Sequence, residues 1–461
     1  MTYDITNYGA KGDGVTDDAP AIQRAIDACA DHGGGRVVLP AGKTYLSGTI
    51  VLRSFVDLHI ESGATLSASP HDAAYTLRQQ TSGLAGLPGQ DTDLSTMLIT
   101  AKGETNVSIT GEGTIDGGGR HFIIADNDHS YEMEKVRPYT IYLIDCDRVV
   151  IRDVMIRDGA YWTVRASGCR GVQIHDITIR NDTKLPNSDG IDIDTCQRVT
   201  ISGCDIVTGD DGICLKTCRE SRQYGNCEDV TVTNCTIVST SSALCIGSET
   251  ASPVRNVVFS SCVISRTNRG ITVQMVDGTD VSNVLFSDIV IETRFFDRVW
   301  WGRGEPIHVS VAPYRAPNGE VRNLRFRNIL ARSEGGVVVH SEGIDCISGL
   351  VFDGVRVEID RWSGRPGGFW DLRPNLENDL SEHDTSGFHI ERVSDVSLRD
   401  CEVVFAQPGG ERSADLRHAV DLVEVEDIRR CDVRGESADQ NRWAAMVLDG
   451  HVFDHLLFVA P

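Results

Sequence analysis

The stretches "RVVIRDVMIRDG" at 148–159 and "GVQIHDITIRND" at 171–182 share one pattern. In each, apolar and polar residues alternate, a polar turn follows, and a second short alternating run begins. Such alternation predicts half-buried β-strands. Seven further stretches repeat the pattern, at 198–209, 229–240, 256–267, 283–294, 323–334, 349–360 and 395–406.

The spacing of these repeats identifies the architecture. A valine or leucine opens the units at 149, 172, 199, 230, 257, 284, 324, 350 and 396. A period of about 25 residues, with larger insertions, is typical of a solenoid whose repeats stack on one another. Leucine-rich repeats have a similar period but need a Leu-x-x-Leu-x-Leu pattern, which the units lack. The sequence therefore predicts an all-β fold, a right-handed parallel β-helix.

We expect one β-helix domain over 1–461, with an N-terminal cap region at 1–50. The segment "TDDAPAIQRAIDACADHGGG" at 16–35 predicts the one convincing helix, with Asp18 as its N-cap and Pro20 in its first turn. This helix is expected to cap the solenoid. Two segments rich in turn residues, 292–322 and 361–390, are expected to be long loops near a groove.

The composition of the chain limits the kinds of molecule that it is expected to bind and the compartment in which it is expected to work. The 44 basic residues against 67 acids give a net charge of −23, which disfavours nucleic acid and anionic membranes as partners. The N-terminal residues lack the charged-then-apolar pattern of a signal peptide, and no apolar run is long enough to span a bilayer. The 14 cysteines lie in similar strand contexts without zinc-ligand spacing. We expect small, buried, reduced cysteines and a cytoplasmic location.

Acidic residues concentrate on two successive repeats. "IVTGDDGICLKT" at 206–217 is expected to be one half-buried strand that bends at Gly209, so that Asp210 and Asp211 both face a groove. Asp189 lies 21 residues earlier, close to one coil, and should stack about 4.8 Å away. Because like charges this close are costly without a role, we expect one carboxyl to stay protonated as a proton donor while the others activate water. This is the chemistry of an inverting glycosidase.

The motifs "NSDGIDID" at 187–194 and "GDDGICLK" at 209–216, with "GAYWTV" before them and "LCIGSE" after, resemble glycoside hydrolase family 28. That family comprises polygalacturonases and rhamnogalacturonases of the pectin-lyase-like superfamily. The opening segment "ITNYGAKGDGVTDDAPAIQRAI" at 5–26 resembles the start of the same superfamily. The resemblance implies inversion by single displacement, with the following roles: Asp210 as general acid, Asp189 and Asp211 as the carboxylates that activate water, and Asn187, Asp192 and Lys216 as supporting or substrate-binding residues.

Two departures from the family bear on the substrate. The family's Gly-His-Gly aligns with Ser241, Ser242 and Ala243, so that a serine replaces the histidine. Its Arg-Ile-Lys, which binds galacturonate carboxylates, aligns with Thr272, Val273 and Gln274. Charged donors recognise carboxylates best. Because these cations are missing, the sequence does not decide between a uronate and a neutral sugar as the substrate. Arg269 or Lys216 could substitute for the lost cations, and Gln274 suits a neutral hydroxyl equally well.

Several other side chains are candidates for a sugar-binding wall. The insertion that begins at residue 292 contains aromatic and charged groups suited to sugar faces and hydroxyls. Packing of the loop against the solenoid is the alternative for the tryptophans, and His340, His383 and His389 are expected to be loop or core residues. The candidates are Trp162, Glu249, Trp300, Trp301, Arg303, Glu305 and His308.

We therefore expect a metal-independent, inverting, exo-acting glycoside hydrolase for plant cell-wall oligosaccharides, in particular pectin-derived ones. No cofactor is expected, an oligosaccharide is the expected partner, and a homo-oligomer is left open. A uronate lyase, an epimerase and a fructotransferase are alternatives on the same fold. A non-catalytic carbohydrate-binding solenoid is a further alternative, which would tolerate loss of the acids.

Overall fold

A computed structural model gives the architecture for residues 1–76, 78–80, 94–312, 319–377, 379–406, 414–449, 451–453 and 457–459. The chain divides into two compact units, Met1–Cys235 and Thr236–Pro461. Each consists of coils whose strands pair in parallel with those of the next coil, which confirms the predicted right-handed parallel β-helix. The expectation of one domain over 1–461 stays a prediction.

Three parallel sheets build the first unit. The first sheet contains Thr2–Asp4, Gly35–Leu39, Val56–Ile60, Thr105–Thr110, Asp147–Arg152, Arg170–His175, Gln197–Ser202 and Cys227–Thr233. The second contains Asp13–Asp17, Thr44–Ser47, Thr65–Ala68, Thr114–Asp116, Met155–Arg157, Thr178–Arg180 and Asp205–Thr208. The third contains Ile50–Val51, Leu94–Lys102, Pro138–Ile144, Val164–Ser167, Ile191–Asp194 and Ile213–Thr217.

This unit also contains shorter strands and 3-10 helices. Arg78–Gln80 pairs antiparallel with Leu94–Lys102, and Ile123–Asp126 forms a hairpin with Tyr131–Met133. The 3-10 helices are Ile5–Tyr8, Asp72–Ala74, Gly119–Phe122 and Arg219–Tyr224.

The second unit contains both short strands and strands of 13 to 18 residues. They are Thr236–Ser239, Ser242–Thr250, Val254–Ser260, Val263–Thr267, Arg269–Met275, Asp280–Thr293, Ile307–Val311, Glu320–Ser333, Val337–Ser341, Ile347–Ile359, Phe388–Phe405, Val420–Arg434, Met446–Leu448, His451–Phe453 and Leu457–Val459. The two segments expected to be loops contain structure of their own, since Ile307–Val311 lies in 292–322 and a hairpin of Phe369–Asp371 with Leu380–Glu382 lies in 361–390. Residues 313–318 and 378 of these segments lie outside the described residues.

The aligned repeats correspond to the observed register. Val149 pairs with Val172, which pairs with Val199, and that residue pairs with Val230. The first and sixth residues of all nine units have φ between 47° and 68°, and most are Asn, Asp or Gly. These residues tolerate the left-handed conformation best, so the polar positions of the repeat mark where the chain turns.

Equivalent apolar residues stack along the interior. In the second unit, Phe259, Phe286, Phe326 and Phe352 form a column with ring centroids 4.8, 5.3 and 4.9 Å apart. All 14 cysteines are buried and none forms a disulfide, as expected. Their stacking is direct in places, since the backbone N–H of Cys169 donates to Sγ of Cys196 at 3.2 Å.

The predicted helix spans Ala19–Asp31 and buries Ile22, Ala25, Ile26 and Cys29 against the first coils. Asp18 is the N-cap residue, as predicted, but its side chain makes no hydrogen bond to the helix. The Asp18 carboxylate instead accepts hydrogen bonds from the backbone N–H groups of Lys11 and Gly12, at 2.6 and 2.9 Å, and so fixes the preceding turn. Among the described residues, no helix is long and apolar enough to cross a bilayer.

Candidate active site

The two adjacent acids lie at a corner of the first unit. The strand Asp205–Thr208 ends before them and Ile213–Thr217 begins after them, so the prediction of one continuous strand is wrong. Gly209 makes this corner possible, because a Cβ there would lie 2.4 Å from the carbonyl oxygen of Leu185. With the strand interrupted, Asp210 and Asp211 escape the alternation that would send neighbours to opposite faces.

Asp189 occupies the equivalent corner one coil earlier. The backbone N–H of Gly190 donates to the Asp211 carbonyl at 2.8 Å, and the N–H of Thr163 donates to the Asp189 carbonyl at 2.9 Å. These hydrogen bonds link three successive corners, and the corner with Asp189 lies between the corner with Thr163 and the corner with Asp210 and Asp211. One carboxylate oxygen from each of Asp189, Asp210 and Asp211 lies within 4.8 Å of the other two. The structure therefore brings together the three acids that the sequence singled out.

The acids strongly influence one another's protonation. Asp189 is 3% exposed, and burial together with the charges of Asp192 and Asp210 holds its pKa well above the usual range. Burial and the adjacent Asp211 raise the pKa of Asp210 to about 7. The backbone N–H groups of Asn187 and Asp211 donate to Asp210 at 3.1 and 3.0 Å and partly oppose this rise. Asp210 can therefore hold a proton near neutral pH.

Lys216 brings a positive charge to the cluster. Its Nζ lies 3.8 Å from Asp211 Oδ2 and 4.0 Å from Asp192 Oδ1, and 4.9 Å from the centre of the Trp162 ring. Lys216 and Asp192 are both buried, on neighbouring strands of the third sheet. The ammonium group therefore offsets part of the negative charge of the acids.

Trp162 is 4% exposed and packs within an aromatic cluster rather than presenting a ring face to solvent. Its ring lies parallel to that of Tyr161, and the guanidinium of Arg165 lies 4.8 Å from its centre. Arg165 is fully buried and donates to the Asp194 carboxylate at 2.8 Å. This arrangement agrees with Trp162 filling a corner behind the acids.

In the second unit, two predicted substrate-binding residues, Gln274 and Arg303, contact the chain's own segment 366–373. Gln274 Nε2 donates to the carbonyls of Leu372 and Arg373 at 3.1 and 2.9 Å. Arg303 donates to the Pro366 carbonyl, and the backbone N–H of Arg303 donates to Glu305 at 2.5 Å. Trp301 is half-buried, and its carbonyl accepts from Asn268 at 3.1 Å.

Further residues of the predicted sugar-binding wall are buried in this unit. Glu305 Oε2 lies 3.5 Å from Arg269 Nε, and Glu305 Oε1 lies 3.8 Å from His308 Nδ1. Burial raises the pKa of Glu305 and holds that of His308 well below its usual range. Trp300 and Glu249 are also buried, the latter on Ser242–Thr250. The structure therefore assigns internal contacts to much of the predicted sugar-binding wall.

The three later histidines surround a tryptophan of the same unit. Trp370 stacks on His383 with ring centroids 3.5 Å apart, and His389 and His340 lie 4.5 and 5.5 Å from it. His340 Nδ1 lies 2.9 Å from Glu391, and His389 Nδ1 lies 2.8 Å from Asp421. They pack as loop and core residues.

Comparison with known proteins identifies the family of this chain. Residues 29–359 match the family model of "Glycosyl hydrolases family 28". The chain belongs to this family. The resemblance carried by the two acid motifs is thus confirmed.

Polygalacturonases recur among the similar proteins. A "Probable polygalacturonase" of Vitis vinifera is 31% identical over 223 residues, which cover 46% of this chain and 44% of that one. The chain thus spans less than half the length of this relative. An exopolygalacturonase structure from Thermotoga maritima has a TM-score of 0.61 at 22% identity, covering 95% of this chain and 92% of its own. A "Family 28 Exopolygalacturonase" from Yersinia enterocolitica has a TM-score of 0.67 at 17% identity, covering 93% and 78%.

Two of the positions that depart from the family 28 pattern contact each other. Thr272 Oγ1 donates to Ser242 Oγ at 2.9 Å, and both side chains are buried. A histidine and an arginine are thus replaced by a neutral hydroxyl pair. Gln274, the third aligned position, is also neutral, and its amide donates to the carbonyls of Leu372 and Arg373. None of the three aligned positions therefore carries a cation.

Sequence reasoning missed two buried arginines near the acids. Arg165 supports Asp194, and Arg137 donates to the side chain of Asn187 at 3.1 Å. An arginine at an outward position of "WTVRAS" and another just before the apolar run "PYTIYLI" were the available signals. Neither signal identifies a partner, because the partners lie 29 and 50 residues away in the chain.

The acid cluster also has the composition of a cation site. Oxygen atoms of Asp189, Asp210 and Asp211 are close enough together for one divalent ion to contact all three. The expectation of metal independence stays a prediction, which a chelator titration of activity checks.

Proposed function

We propose that this family 28 member is an inverting, exo-acting glycoside hydrolase that removes a terminal sugar from pectin-derived oligosaccharides. The observation that carries the proposal is the close group of three carboxylates, in which burial and Asp211 raise the pKa of Asp210 to about 7. A general acid works best when its pKa lies near the operating pH.

The residues divide the chemistry as follows. Protonated Asp210 donates its proton to the glycosidic oxygen as the bond from that oxygen to the anomeric carbon breaks. A water molecule attacks the anomeric carbon and loses its proton to the Asp189 and Asp211 pair. Burial and its acidic neighbours hold the pKa of Asp189 well above the usual range, so Asp189 tends to keep a proton and Asp211 is left as the base. Asp189 then helps to hold the water.

Inversion is proposed from the family resemblance. The acid oxygens lie within 4.8 Å of one another, closer than the roughly 6.5–9.5 Å between the two carboxyl groups of typical inverting enzymes. The spacing rule assumes one acid and one base on opposite sides of the sugar, and it does not describe a cluster of three. Product stereochemistry is therefore the appropriate test.

The exo mode is supported by the second unit. Segment 366–373 covers the outer side of Arg269–Met275 through its contacts with Arg269 and Gln274. A covered face leaves no open path for a polymer along that strand. Ser242, Thr272 and Gln274 supply no cation for a uronate carboxylate, so neutral sugars are included among the substrates to be tested.

A substrate screen tests the proposed function. Wild type, Asp210→Asn and Asp205→Asn would be incubated with oligogalacturonides, other pectic oligosaccharides and neutral aryl glycosides, followed by product analysis. Asp205 is a matched control because it lies on the adjacent strand, with a half-exposed carboxylate paired to Arg180. We expect wild type and Asp205→Asn to release single terminal sugars and Asp210→Asn to be inactive with an unchanged melting temperature at pH 4.

Other outcomes identify the alternatives. An unsaturated, ultraviolet-absorbing product would indicate a lyase, and a changed sugar without cleavage would indicate an epimerase. Binding without turnover, unaffected by Asp210→Asn, would indicate a carbohydrate-binding solenoid.

A further inference from the structure

Arg137 lies immediately before the strand Pro138–Ile144 and is 8% exposed. Its guanidinium contacts three points on neighbouring coils. Nη1 donates to the carbonyls of Ala160 and Pro186, at 3.0 Å each, and Nη2 donates to Asn187 Oδ1 at 3.1 Å. It also lies 5.0 Å from the ring centre of Tyr161. Two of these contacts hold the loop that contains Asn187.

Asn187 in turn contacts the proposed general acid. Its backbone N–H donates to Asp210 Oδ2 at 3.1 Å. Asn187 has φ 56°, a left-handed conformation in which this N–H is directed by the local turn rather than by a strand ladder. Small rotations of the turn would therefore move the donor away from the carboxyl group, and the arginine opposes such rotations.

We propose that Arg137 is a positioning residue for the hydrolytic reaction, which holds the Pro186–Asn187 turn so that the Asn187 N–H fixes the orientation of the Asp210 carboxyl group. This inference rests on the proposed function. Arg137 acts through Asn187 and does not contact the reacting atoms. The planar guanidinium suits this task, because its fork of donors binds two acceptors of one turn at fixed angles.

The hydrogen bond from Asn187 favours the ionised form of Asp210 and so lowers its pKa. Loss of the bond should raise this pKa, and removal of the Arg137 charge acts in the same direction. The other charged groups of the cluster are Asp211 in the same turn as Asp210, Asp189 in the preceding coil, Lys216 on Ile213–Thr217 and, beside Asp189 and Lys216, Asp192 on Ile191–Asp194. None of these groups changes in the variants below.

The test compares pH profiles of kcat/KM on the oligosaccharide that wild type hydrolyses. Arg137→Met removes the fork and its charge, Arg137→Lys keeps the charge, and Asn187→Gly keeps the N–H and tolerates the left-handed conformation but removes the side-chain acceptor. We expect each to lower kcat by about tenfold or more with little change in KM, and to move the alkaline limb to higher pH. Arg36→Met, at a 43% exposed arginine paired with Asp57, is the control that leaves both unchanged.

The double variant Arg137→Met with Asn187→Gly sharpens the test. If both act through one contact, the double variant loses no more activity than the more impaired single variant. If Arg137→Met does not fold, Asn187→Gly and Arg137→Lys carry the test. If Asp210→Asn is inactive but the folded Arg137 and Asn187 variants keep the alkaline limb of wild type, the positioning role of Arg137 is overturned and the proposed function is not. An active Asp210→Asn would instead overturn the proposed function.

Discussion

Each unit contains buried carboxylates, and the two groups differ in the charges that surround them. In the first unit, Asp189 and Asp210 face further carboxylates, and both have raised pKa values. In the second, Asp371 accepts from Arg373 at 2.8 and 2.6 Å and from the Gly302 N–H at 2.7 Å, and these groups lower its pKa. The first arrangement keeps protons available, whereas the second keeps a charge fixed.

The contrast distinguishes a reactive cluster from a structural one. A buried carboxylate whose oxygens receive an arginine fork and a backbone N–H stabilises the segment that carries it. A buried carboxylate beside other acids is electrostatically costly and is retained where its proton is used. Substitutions in the two groups should therefore have effects of opposite kinds.

The largest expected effect is on catalysis in the acid cluster. Asp211→Asn removes the carboxylate nearest Lys216, and we expect kcat to fall by about a thousandfold with KM little changed, because the water loses its base. Steady-state kinetics on the hydrolysed oligosaccharide measure this, with Asp205→Asn as the control. Retention of most of the activity would remove Asp211 from the catalytic group.

The next largest effect is on stability in the second unit. Asp371→Asn leaves the half-buried Arg373 without its carboxylate partner, and we expect a loss of about 2–4 kcal/mol in the free energy of unfolding. Asp384→Asn, at a carboxylate 53% exposed and paired with Arg417, should cost less than about 1 kcal/mol. Denaturant titration at pH 7 compares them. Equal losses would contradict a special structural role for Asp371.

Asp210→Asn should have the reverse effect on stability. The folded-state pKa of Asp210, about 7, lies above the unfolded value near 3.9. Ionising it therefore destabilises the fold progressively as pH rises from about 4 to about 7. We expect the variant to gain about 1–2 kcal/mol over wild type at pH 8 and little at pH 4, after allowing for screening of this half-buried group. Thermal melts at both pH values measure the gain, and a loss at pH 8 would be inconsistent with the raised pKa.

The smallest expected effect concerns Lys216. Its charge lowers the pKa values of Asp210 and Asp189. Lys216→Gln should therefore move the alkaline limb of kcat/KM to higher pH, by about half a unit to one unit. Lys102→Gln, at an exposed lysine of Leu94–Lys102, should not. A shift toward lower pH would show that another group controls the limb.

The sequence predicted the fold and the three acids because both depend on patterns within about one coil. Alternation and polar turns determine the register of Val149, Val172 and Val199, and the interval from Asp189 to Asp210 follows from the same period. The corner at Gly209 was missed because an apolar run interrupted by two acids matches a bent strand as well as two strands. The contacts of Gln274 with Leu372 and Arg373, 98 and 99 residues away, could not be predicted from local pattern.

The central claim is that the acid cluster of the first unit hydrolyses a glycosidic bond by single displacement. Proton NMR of the reaction, recorded before the free sugar mutarotates, tests it most directly. We predict that wild type first releases the anomer opposite to that of the substrate linkage, and that Asp210→Asn releases none. Initial release of the retained anomer, or equal release by Asp210→Asn, would contradict the claim.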